Sequence, residues 1–424
     1  MKVKTKNLTV NQVNALPQEK RVKPKKPSWL FRTLVRILSY GDLKKTGFTY
    51  EKSNFDKIKK GEPCLVLMNH SSFIDVKIAS KILKDTPYNI VSTTDGSVGK
   101  KWLMRQLGCI FTNKYVTDIA LVKDINYCLH TLKTSVLMYP EASYSMDGRQ
   151  GIIPTSIGKL IKMLKVPVIT IITDGAFLRD PLYNNLQLRK VKVSAKVDVT
   201  LSKEEIEKLS HSAINDIIFE KFTFDAFLNQ QKNNVIIDEP FRADSLERVL
   251  YKCPNCNDEF SMQGRGVYLT CNKCKKQYIL TENGTMQAVN GKTEFTQISS
   301  WVDFQNECVK NEIENKTYSF NERVKIAILK GSKCLYFVGE GNLVHNENGF
   351  TLNSDDNLIN FNQPALSTHT ANCDYFWYEI GDVIAIGNEK ILYYCFPLNQ
   401  KVPVYKVKLA TEEIYKRAKN QVKK

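Results

Sequence analysis

The sequence contains one histidine and one aspartate whose spacing could create a general base. His70 follows the apolar run Leu65–Met68, and Asp75 comes five residues after it, at the start of a predicted helix. Positions five apart do not share a face of a straight helix, so His70 must lie in the turn before the helix if the two side chains meet. One ring nitrogen could then donate to the carboxylate while the other takes a proton from a hydroxyl group. The pair predicts base catalysis, with Asp75 orienting the ring.

Four cysteines form a second chemical pattern. Two CxxC pairs, Cys253 with Cys256 and Cys271 with Cys274, are separated by fourteen residues, and Phe260–Leu269 between them can form a strand pair. Four thiolates at this spacing are typical of a closed tetrahedral zinc site, which is structural because it leaves no open position for substrate. We therefore predict a zinc ribbon with one structural Zn²⁺ and no redox cofactor. A redox pair or an iron site is the alternative.

The net charge limits the classes of partner. The 424 residues carry a formal net charge of +17, which favours an anionic partner such as a phospholipid surface, a phosphorylated substrate or nucleic acid. Seven of the eleven cysteines lie outside the CxxC pairs as single residues, as is usual in a reducing compartment. The sequence has no run of about 18 apolar residues and no secretory signal pattern. We expect a cytoplasmic protein, peripheral on the inner face of a membrane.

The N-terminal region combines a basic segment with an amphipathic pattern. Residues 1–26 contain eight lysines or arginines and one acidic residue, Glu19, which predicts a disordered basic arm. Residues 28–40 place apolar side chains on one side of a helix and Arg32 and Arg36 on the other. This helix either packs on the domain core or lies in a membrane interface, where its Trp29 and the preceding basic arm would also fit.

Short apolar runs alternate with helical stretches between residues 63 and 198. This alternation predicts an α/β fold with a largely parallel sheet flanked by helices. The predicted strands are Cys64–Met68, Tyr88–Ser92, Gly108–Thr112, Ser135–Tyr139, Val166–Thr173 and Val191–Val199.

Four segments in this region resemble the ordered motifs of the glycerolipid acyltransferase superfamily, the 1-acylglycerol-3-phosphate acyltransferases and their relatives. Asn69-His70 with Asp75 five residues after the histidine resembles the first motif. Gly108–Lys114, Tyr139–Ser145 and Val166–Val168 are similar to the second, third and fourth motifs. The resemblance covers about residues 28–200.

The resemblance implies a fold, a reaction and a set of site residues. A fatty acyl group would move from acyl carrier protein (ACP) or coenzyme A to the hydroxyl of a lysophospholipid, without an acyl-enzyme. The implied acceptor is 1-acylglycerol-3-phosphate, which would give phosphatidic acid. His70 would be the general base and Asp75 its orienting group, while Lys114 and Glu141 would support the acceptor site. An acid that caps a nearby helix is the alternative for Glu141.

The sequence departs from the family pattern where the acceptor phosphate is expected. The third-motif arginine is Tyr144, its glycine is Ala142, and the second-motif arginine is Lys114. Lysine offers a point charge in place of a planar fork. Either Lys114 and Arg149 together hold the phosphate, which we favour, or the acceptor carries a phosphate that is held loosely or is absent.

We predict four regions: the arm at 1–26, an acyltransferase domain at 27–240, the zinc ribbon at 241–290 and a β-rich domain at 291–424. The last is strand-rich and ends in a helix for which Thr411 is the expected N-cap. Its strand pattern is similar to pleckstrin-homology or GRAM-type lipid-binding domains, and a plain β interaction domain is the alternative.

The alternative function is a zinc-ribbon protein that binds nucleic acid and has an inactive acyltransferase-like domain. Residues 248–285 mix basic with acidic side chains such as Asp258, Glu259 and Glu282, and no basic stripe with interleaved aromatic residues is evident. We therefore expect no nucleic-acid partner.

Overall fold

The computed structural model describes residues 3–113 and 118–422, except the side chain of Val422. The chain divides into two compact units. One, here called the α/β unit, comprises Lys20–Asp180 and Lys190–Ala226. The other, the β-rich unit, comprises Met1–Glu19, Pro181–Arg189 and Phe227–Lys424. The predicted domain boundaries at residues 26, 240 and 290 remain predictions.

The N-terminal segment begins with β1 (Thr5–Asn7) and α1 (Val10–Asn14). Disorder was predicted here, and residues 5–14 differ from that prediction. Thr9 and Gln12 form a reciprocal capping box at the start of α1, with N···O distances of 3.2 and 2.9 Å. Val10 and Val13 are buried. Two buried valines and a cap are local signals that the basic composition of the arm obscures.

The α/β unit is built on a seven-stranded sheet with helices on both faces. Its strands are β2 (Thr49–Ser53), β3 (Leu65–Met68), β4 (Tyr88–Thr93), β5 (Cys109–Thr112), β6 (Ser135–Met138), β7 (Val168–Asp174) and β8 (Ser194–Leu201). Its helices are α2 (Trp29–Lys45), α3 (Asp75–Ile82), α4 (Lys101–Gln106), α5 (Ile119–His130), α6 (Ser156–Leu164), α7 (Ala176–Arg179), α8 (Lys203–Lys208) and α9 (His211–Phe222).

The sheet is largely parallel, as predicted. The strand order is β2-β8-β7-β3-β6-β4-β5, and only the β7–β8 pair is antiparallel. Alternate residues of central β3 point to opposite faces. Leu65 and Leu67 pack in a core with residues of α5, α6 and α9, while Val66 and Met68 pack in a second core with residues of α3. Two buried faces explain why β3 is a continuous apolar run.

Among its described residues, the β-rich unit contains two sheets, one antiparallel and one antiparallel except for a single parallel pair. The smaller sheet, of order β12-β11-β10-β9, carries the second CxxC pair at the end of β10. The elements in this part of the chain are α10 (Ala226–Lys232), β9 (Met262–Arg265), β10 (Tyr268–Cys271), β11 (Gln277–Leu280), β12 (Met286–Ala288) and α11 (Ile298–Glu314).

The larger sheet agrees with the predicted β-rich region that ends in a helix. Its order is β16-β15-β14-β13-β19-β18-β17, with β1 parallel to β14. Its elements are β13 (Phe320–Leu329), β14 (Leu335–Asn346), β15 (Gly349–Ser354), β16 (Asn360–Pro364), β17 (Asn372–Trp377), β18 (Gly381–Gly387), β19 (Leu392–Pro397) and the final helix α12 (Val404–Val422). The resemblance to pleckstrin-homology or GRAM-type domains stays a prediction.

The expected cap of α12 is wrong. The helix begins at Val404, so Thr411 lies inside it, and the Thr411 hydroxyl donates to the carbonyl oxygen of Val407 at 2.7 Å. A threonine inside a helix can satisfy its hydroxyl in this way, so its presence does not require a helix start. Within residues 3–113 and 118–422, every helix is too short or too polar to cross a membrane.

Candidate active site

The His70–Asp75 pair lies in the turn between β3 and α3. His70 Nδ1 is 3.0 Å from Asp75 Oδ2, and Asp75, the first residue of α3, is completely buried. A carboxylate accepts hydrogen bonds but does not donate them, so Nδ1 carries the hydrogen of the neutral ring and Nε2 carries the lone pair. The side chain of His70 is 15% exposed. The geometry therefore suits a base whose imidazole ring is oriented by a buried acid.

Two backbone amides hold the Asp75 carboxylate. The N–H groups of Ser71 and Ser72 donate to Asp75 Oδ2 at 2.8 and 3.1 Å. These serines precede the helix, where backbone amides have no helical partner and are available to an acid in the first turn. The sequence predicts that Ser71 or Ser72 caps this helix, but the N-cap is Ile74, with no side-chain cap hydrogen bond, and the two serines contribute their backbone N–H groups to Asp75.

Asn69 fixes the start of the same turn. Its Oδ1 accepts from the backbone N–H and the hydroxyl of Thr173 at 2.8 and 3.1 Å, and its Nδ2 donates to the Ser71 hydroxyl at 3.1 Å. Asn69 is buried, and Thr173 lies in β7, the strand beside β3. The side chain thus ties the ends of two adjacent strands together immediately before His70.

The third motif lies against this turn. The backbone N–H of Ser145 donates to the His70 carbonyl oxygen at 2.8 Å. The buried Glu141 accepts from the His70 backbone N–H at 3.4 Å through Oε1 and from the Gly151 N–H at 2.6 Å through Oε2. Glu141 is therefore close to the base, and its described contacts position the backbone of the turn. Its proposed role toward the acceptor remains a prediction.

Two tyrosine rings cover the faces of the imidazole. The centroid of the His70 ring is 3.9 Å from that of Tyr139 and 3.7 Å from that of Tyr144, with interplanar angles of 17° and 28°. Burial, together with the nearby Asp75 carboxylate, raises the pKa of Tyr139 well above its usual range, so this phenol is neutral. Phe73 packs on the Tyr144 ring at 5.3 Å. These aromatic contacts were not predicted from the sequence.

The predicted phosphate-binding residues are placed only in part. Lys114 lies outside the described residues. Arg149 is connected to the site because the Ser145 hydroxyl donates to its carbonyl oxygen at 2.6 Å. The guanidinium Nε of Arg149 lies 2.8 Å from Asp147 Oδ2, and its side chain is 27% exposed. Arg149 is therefore a cation whose backbone contacts the loop beside His70 and whose guanidinium pairs with one carboxylate.

The four cysteines of the two CxxC pairs lie close together in the β-rich unit. Sγ of Cys253 lies 3.7 Å from that of Cys274, and the same distance separates Cys256 and Cys271. All four sulfur atoms lie within 4.8 Å of one another. Four sulfurs placed about 2.3 Å from a tetrahedral zinc ion would be about 3.8 Å apart, so the arrangement fits such an ion. The group could hold a metal ion.

A comparison with known protein families agrees with the motifs. Residues 49–174 match a family model described as Acyltransferase, and no curated protein sequence matches the chain. Among solved structures, the chain is similar to a crystal structure of the 1-acyl-sn-glycerophosphate (LPA) acyltransferase PlsC from Thermotoga maritima. That match has 14% identity and a TM-score of 0.38, and it covers 45% of this chain and 76% of that one. Residues 49–174 therefore match the Acyltransferase family, and all four motifs lie within this range.

Proposed function

We propose that the protein is an O-acyltransferase that moves a fatty acyl group from acyl-ACP or acyl-CoA to the hydroxyl of a lysophospholipid. The proposed acceptor is 1-acylglycerol-3-phosphate (lysophosphatidic acid), and the product is phosphatidic acid. The observation that carries the proposal is the 3.0 Å contact between His70 Nδ1 and the buried Asp75 carboxylate, within the segment that matches the Acyltransferase family.

The proposed reaction needs no covalent enzyme intermediate. His70 Nε2 takes the proton of the acceptor hydroxyl as its oxygen attacks the thioester carbonyl carbon. The tetrahedral intermediate then collapses, the C–S bond breaks, and the imidazolium returns its proton to the leaving thiolate. Asp75 stabilises the imidazolium and holds the tautomer that can act as the base. A positioned base of this kind typically contributes about 100- to 10,000-fold in rate.

Exposed apolar side chains support a membrane-bound acceptor. Trp29, Ile37 and Leu38 of α2 are 75%, 63% and 70% exposed. Trp102 of α4 is 67% exposed, and its ring contacts that of Phe31 with centroids 5.5 Å apart. The same helix also carries the basic residues Arg32, Arg36, Lys44 and Lys45. An amphipathic helix with this composition fits the interface of an anionic membrane. We propose that α2 binds there peripherally.

We also propose that Cys253, Cys256, Cys271 and Cys274 bind one structural Zn²⁺. The spacing of the sulfur atoms and the four-thiolate donor set support zinc. The ion would stabilise the small sheet and would take no part in acyl transfer, because all four of its positions would be filled.

A thiol-release assay tests the proposed reaction. Acyl-CoA and acyl-ACP are each offered with lysophosphatidic acid, with lysophospholipids of other headgroups, and with monoacylglycerol. We expect thiol release that depends on an acceptor and is fastest with lysophosphatidic acid. If no acceptor on the panel supports thiol release while the protein binds nucleic acid tightly, the alternative function is favoured.

A liposome sedimentation assay tests the membrane proposal separately. The double variant Ile37→Glu and Leu38→Glu should weaken binding to anionic liposomes by about tenfold or more, because each buried apolar side chain contributes about 1.5–3 kcal/mol. Leu358→Glu is the matched control, since Leu358 is also exposed but lies in the β-rich unit. Equal binding by the double variant and wild type would exclude this surface of α2.

A further inference from the structure

Five side chains form a continuous series of contacts that starts in the turn before α3 and ends on α3 itself. This series is here called the α3 ring. The Ser72 hydroxyl donates to Asp180 Oδ1 at 2.5 Å, and Arg179 Nη1 donates to Asp180 Oδ2 at 3.1 Å. Arg179 Nη2 and Lys77 Nζ donate to the two carboxylate oxygens of Asp42 at 2.5 and 2.6 Å. Because Lys77 and Asp75 lie on the same helix, the ring returns to α3 two residues from the proposed orienting acid.

The ring has a buried half that faces the proposed active site. The side chains of Arg179 and Asp180 are only 8% and 6% exposed, whereas Asp42 and Lys77 are 22% and 40% exposed. Apolar residues of similar size would often stabilise a core as well as a buried ion pair does. A buried Arg179–Asp180 pair is therefore better explained by the geometry that it imposes on its neighbours than by stability.

The neighbour that matters is Ser72. Its backbone N–H donates to Asp75 Oδ2 at 3.1 Å, while its hydroxyl is held by Asp180. Within residues 3–113 and 118–422, Asp75 Oδ1 has no hydrogen-bond partner although it is buried. The orientation of the Asp75 carboxylate thus depends on the contacts at Oδ2, and Ser72 supplies one of them. A shift of Ser72 would be transmitted to Asp75 and from there to the His70 ring.

We propose that Asp180 is a positioning residue for the His70–Asp75 pair, acting through Ser72. The inference rests on the proposed acyl-transfer function, but it concerns a residue outside the four motifs. It deepens that function by adding a second acid, which does not itself contact the His70 ring.

The ionisation of Asp180 gives this role a distinctive pH signature. Burial raises the pKa of Asp180 to about 6, with the nearby Asp75 carboxylate contributing, while the Ser72 and Arg179 contacts oppose the rise. Asp42 and Lys77 face it more remotely through Arg179. Above pH 6 both oxygens of the carboxylate accept hydrogen bonds. Below pH 6 one oxygen carries a proton, so the hydrogen bonds that Asp180 accepts from Ser72 and Arg179 weaken.

The acid limb of the activity profile should therefore contain two ionisations. Protonation of His70 removes the base, and protonation of Asp180 loosens the turn that orients it. In a plot of log kcat against pH, we expect the wild-type slope to exceed one near pH 6, where protonation of Asp180 adds a fall of about one log unit. Asp180→Asn has one of these ionisations left, so its slope should be one. Its kcat at pH 8 should fall by about tenfold, since the amide offers Arg179 or Ser72 a donor where an acceptor is needed.

The experiment compares four full-length proteins: wild type, Asp180→Asn, Ser72→Ala and Asp198→Asn. Asp198 is the matched control, because it is also a buried acid of the α/β unit and it bonds to Ser53 and Lys221 at 2.8 and 3.0 Å. Ser72→Ala should lower kcat about as much as Asp180→Asn, while the control should keep the wild-type kcat and slope. Thermal unfolding of each protein checks that the variants are folded.

A measurement independent of activity separates this inference from the proposed function. Histidine labelled with ¹⁵N reports on five residues, and the Nδ1–H resonance of His70 should shift or broaden in Asp180→Asn but not in Asp198→Asn. If wild type transfers no acyl group, the proposed function fails, and this resonance still decides whether Asp180 positions the ring. A wild-type pH profile and an unchanged resonance in Asp180→Asn would overturn the inference.

Discussion

The phenol ring of Tyr144 stacks on the imidazole of His70, with ring centroids 3.7 Å apart. The superfamily pattern has an arginine where this chain has Tyr144, so the substitution replaces a charged group with an aromatic one directly beside the base. Tyr139 lies on the other side of the imidazole at 3.9 Å. Contact on both faces restricts tilting of the ring and helps to keep Nδ1 in line with Asp75.

This stacking predicts different effects for two substitutions of Tyr144. Tyr144→Phe keeps the ring and should retain most of the wild-type kcat. Tyr144→Leu removes it and should lower kcat about two- to tenfold, since an aromatic pair contributes about 0.5–1.5 kcal/mol beyond its buried area. Steady-state kinetics with a saturating thioester give the comparison. A leucine variant as active as the phenylalanine variant would exclude a role for the stack.

His70→Ala should reduce acyl transfer by at least about 100-fold, because no other group would take the hydroxyl proton. Asp75→Asn should be nearly as harmful, because the amide no longer fixes the tautomer or stabilises the imidazolium. Thiol release with circular dichroism as a fold check measures both. The control is His211→Ala, because His211 is an exposed histidine at the start of α9. Transfer at the wild-type rate by folded His70→Ala protein would end the assignment.

Ala142 predicts a stabilising substitution beside the site. Its φ of 57° lies in the left-handed region, which costs a non-glycine residue about 1 kcal/mol, and the family pattern has glycine there. Glycine also increases the entropy of the unfolded chain, which lowers the free energy of unfolding by about 0.4–1 kcal/mol. Ala142→Gly should therefore leave the free energy of unfolding equal or raise it by less than about 1 kcal/mol, measured by urea titration.

A substitution in the opposite direction provides the control. Gly148 has a φ of 87°, and a Cβ atom there would lie 2.9 Å from a ring carbon of Phe177. Gly148→Ala should therefore lower the free energy of unfolding by more than about 1 kcal/mol. A loss of similar size in Ala142→Gly would show that the left-handed turn carries no strain.

Removing the proposed zinc should unfold the small sheet of the β-rich unit. Elemental analysis should find one zinc ion per chain, and Cys271→Ser should lose it together with protection of β9–β12 in hydrogen exchange. Structural zinc typically contributes about 10–16 kcal/mol in such small units. Cys308→Ser, at a half-buried cysteine outside the cluster, should keep both the metal and the protection. Protein purified without chelators and free of zinc would contradict the assignment.

The parts of the site that were predictable have local signals in the sequence. The strand that ends in Asn69-His70 and the acid five residues later can be read from one short segment, and the CxxC spacing defines the cysteine cluster by itself. The six predicted strands of the α/β unit were likewise recognisable as short apolar runs, of which β3, β6 and β7 are largely buried. In contrast, β2 was not predicted, because it is polar and largely exposed at the edge of the sheet.

The rest depends on contacts between distant segments. Asp180 is 108 residues from Ser72, and Arg179-Asp180 after β7 is an ordinary charged pair in the sequence. Only the folded structure places Asp180 in contact with Ser72, in the turn that holds Asp75. Glu141 shows the same limit: the motif identified the residue, but its bonds to the backbone of His70 and Gly151 depend on how two loops pack.

The identity of the acceptor depends on the cations that replace the family arginine. A phosphate prefers charge-assisted contacts, and the loss of one typically costs about 1.5–3 kcal/mol, or about 10- to 100-fold in affinity. Lys114→Ala and Arg149→Ala should each raise KM for lysophosphatidic acid by about that factor, with little change in KM for the thioester. Lys159→Ala, at an exposed lysine of α6, is the control.

The existing contact of Arg149 sharpens this test. Its Nε is paired with Asp147 at 2.8 Å, so an incoming phosphate must share the guanidinium with a carboxylate or displace it. Asp147→Asn removes the competing charge and should lower KM for lysophosphatidic acid, while Arg149→Ala raises it. The same substitutions should not change KM for monoacylglycerol, which has no phosphate. If the two lipids respond alike, Arg149 does not bind the phosphate and an acceptor without one becomes the better hypothesis.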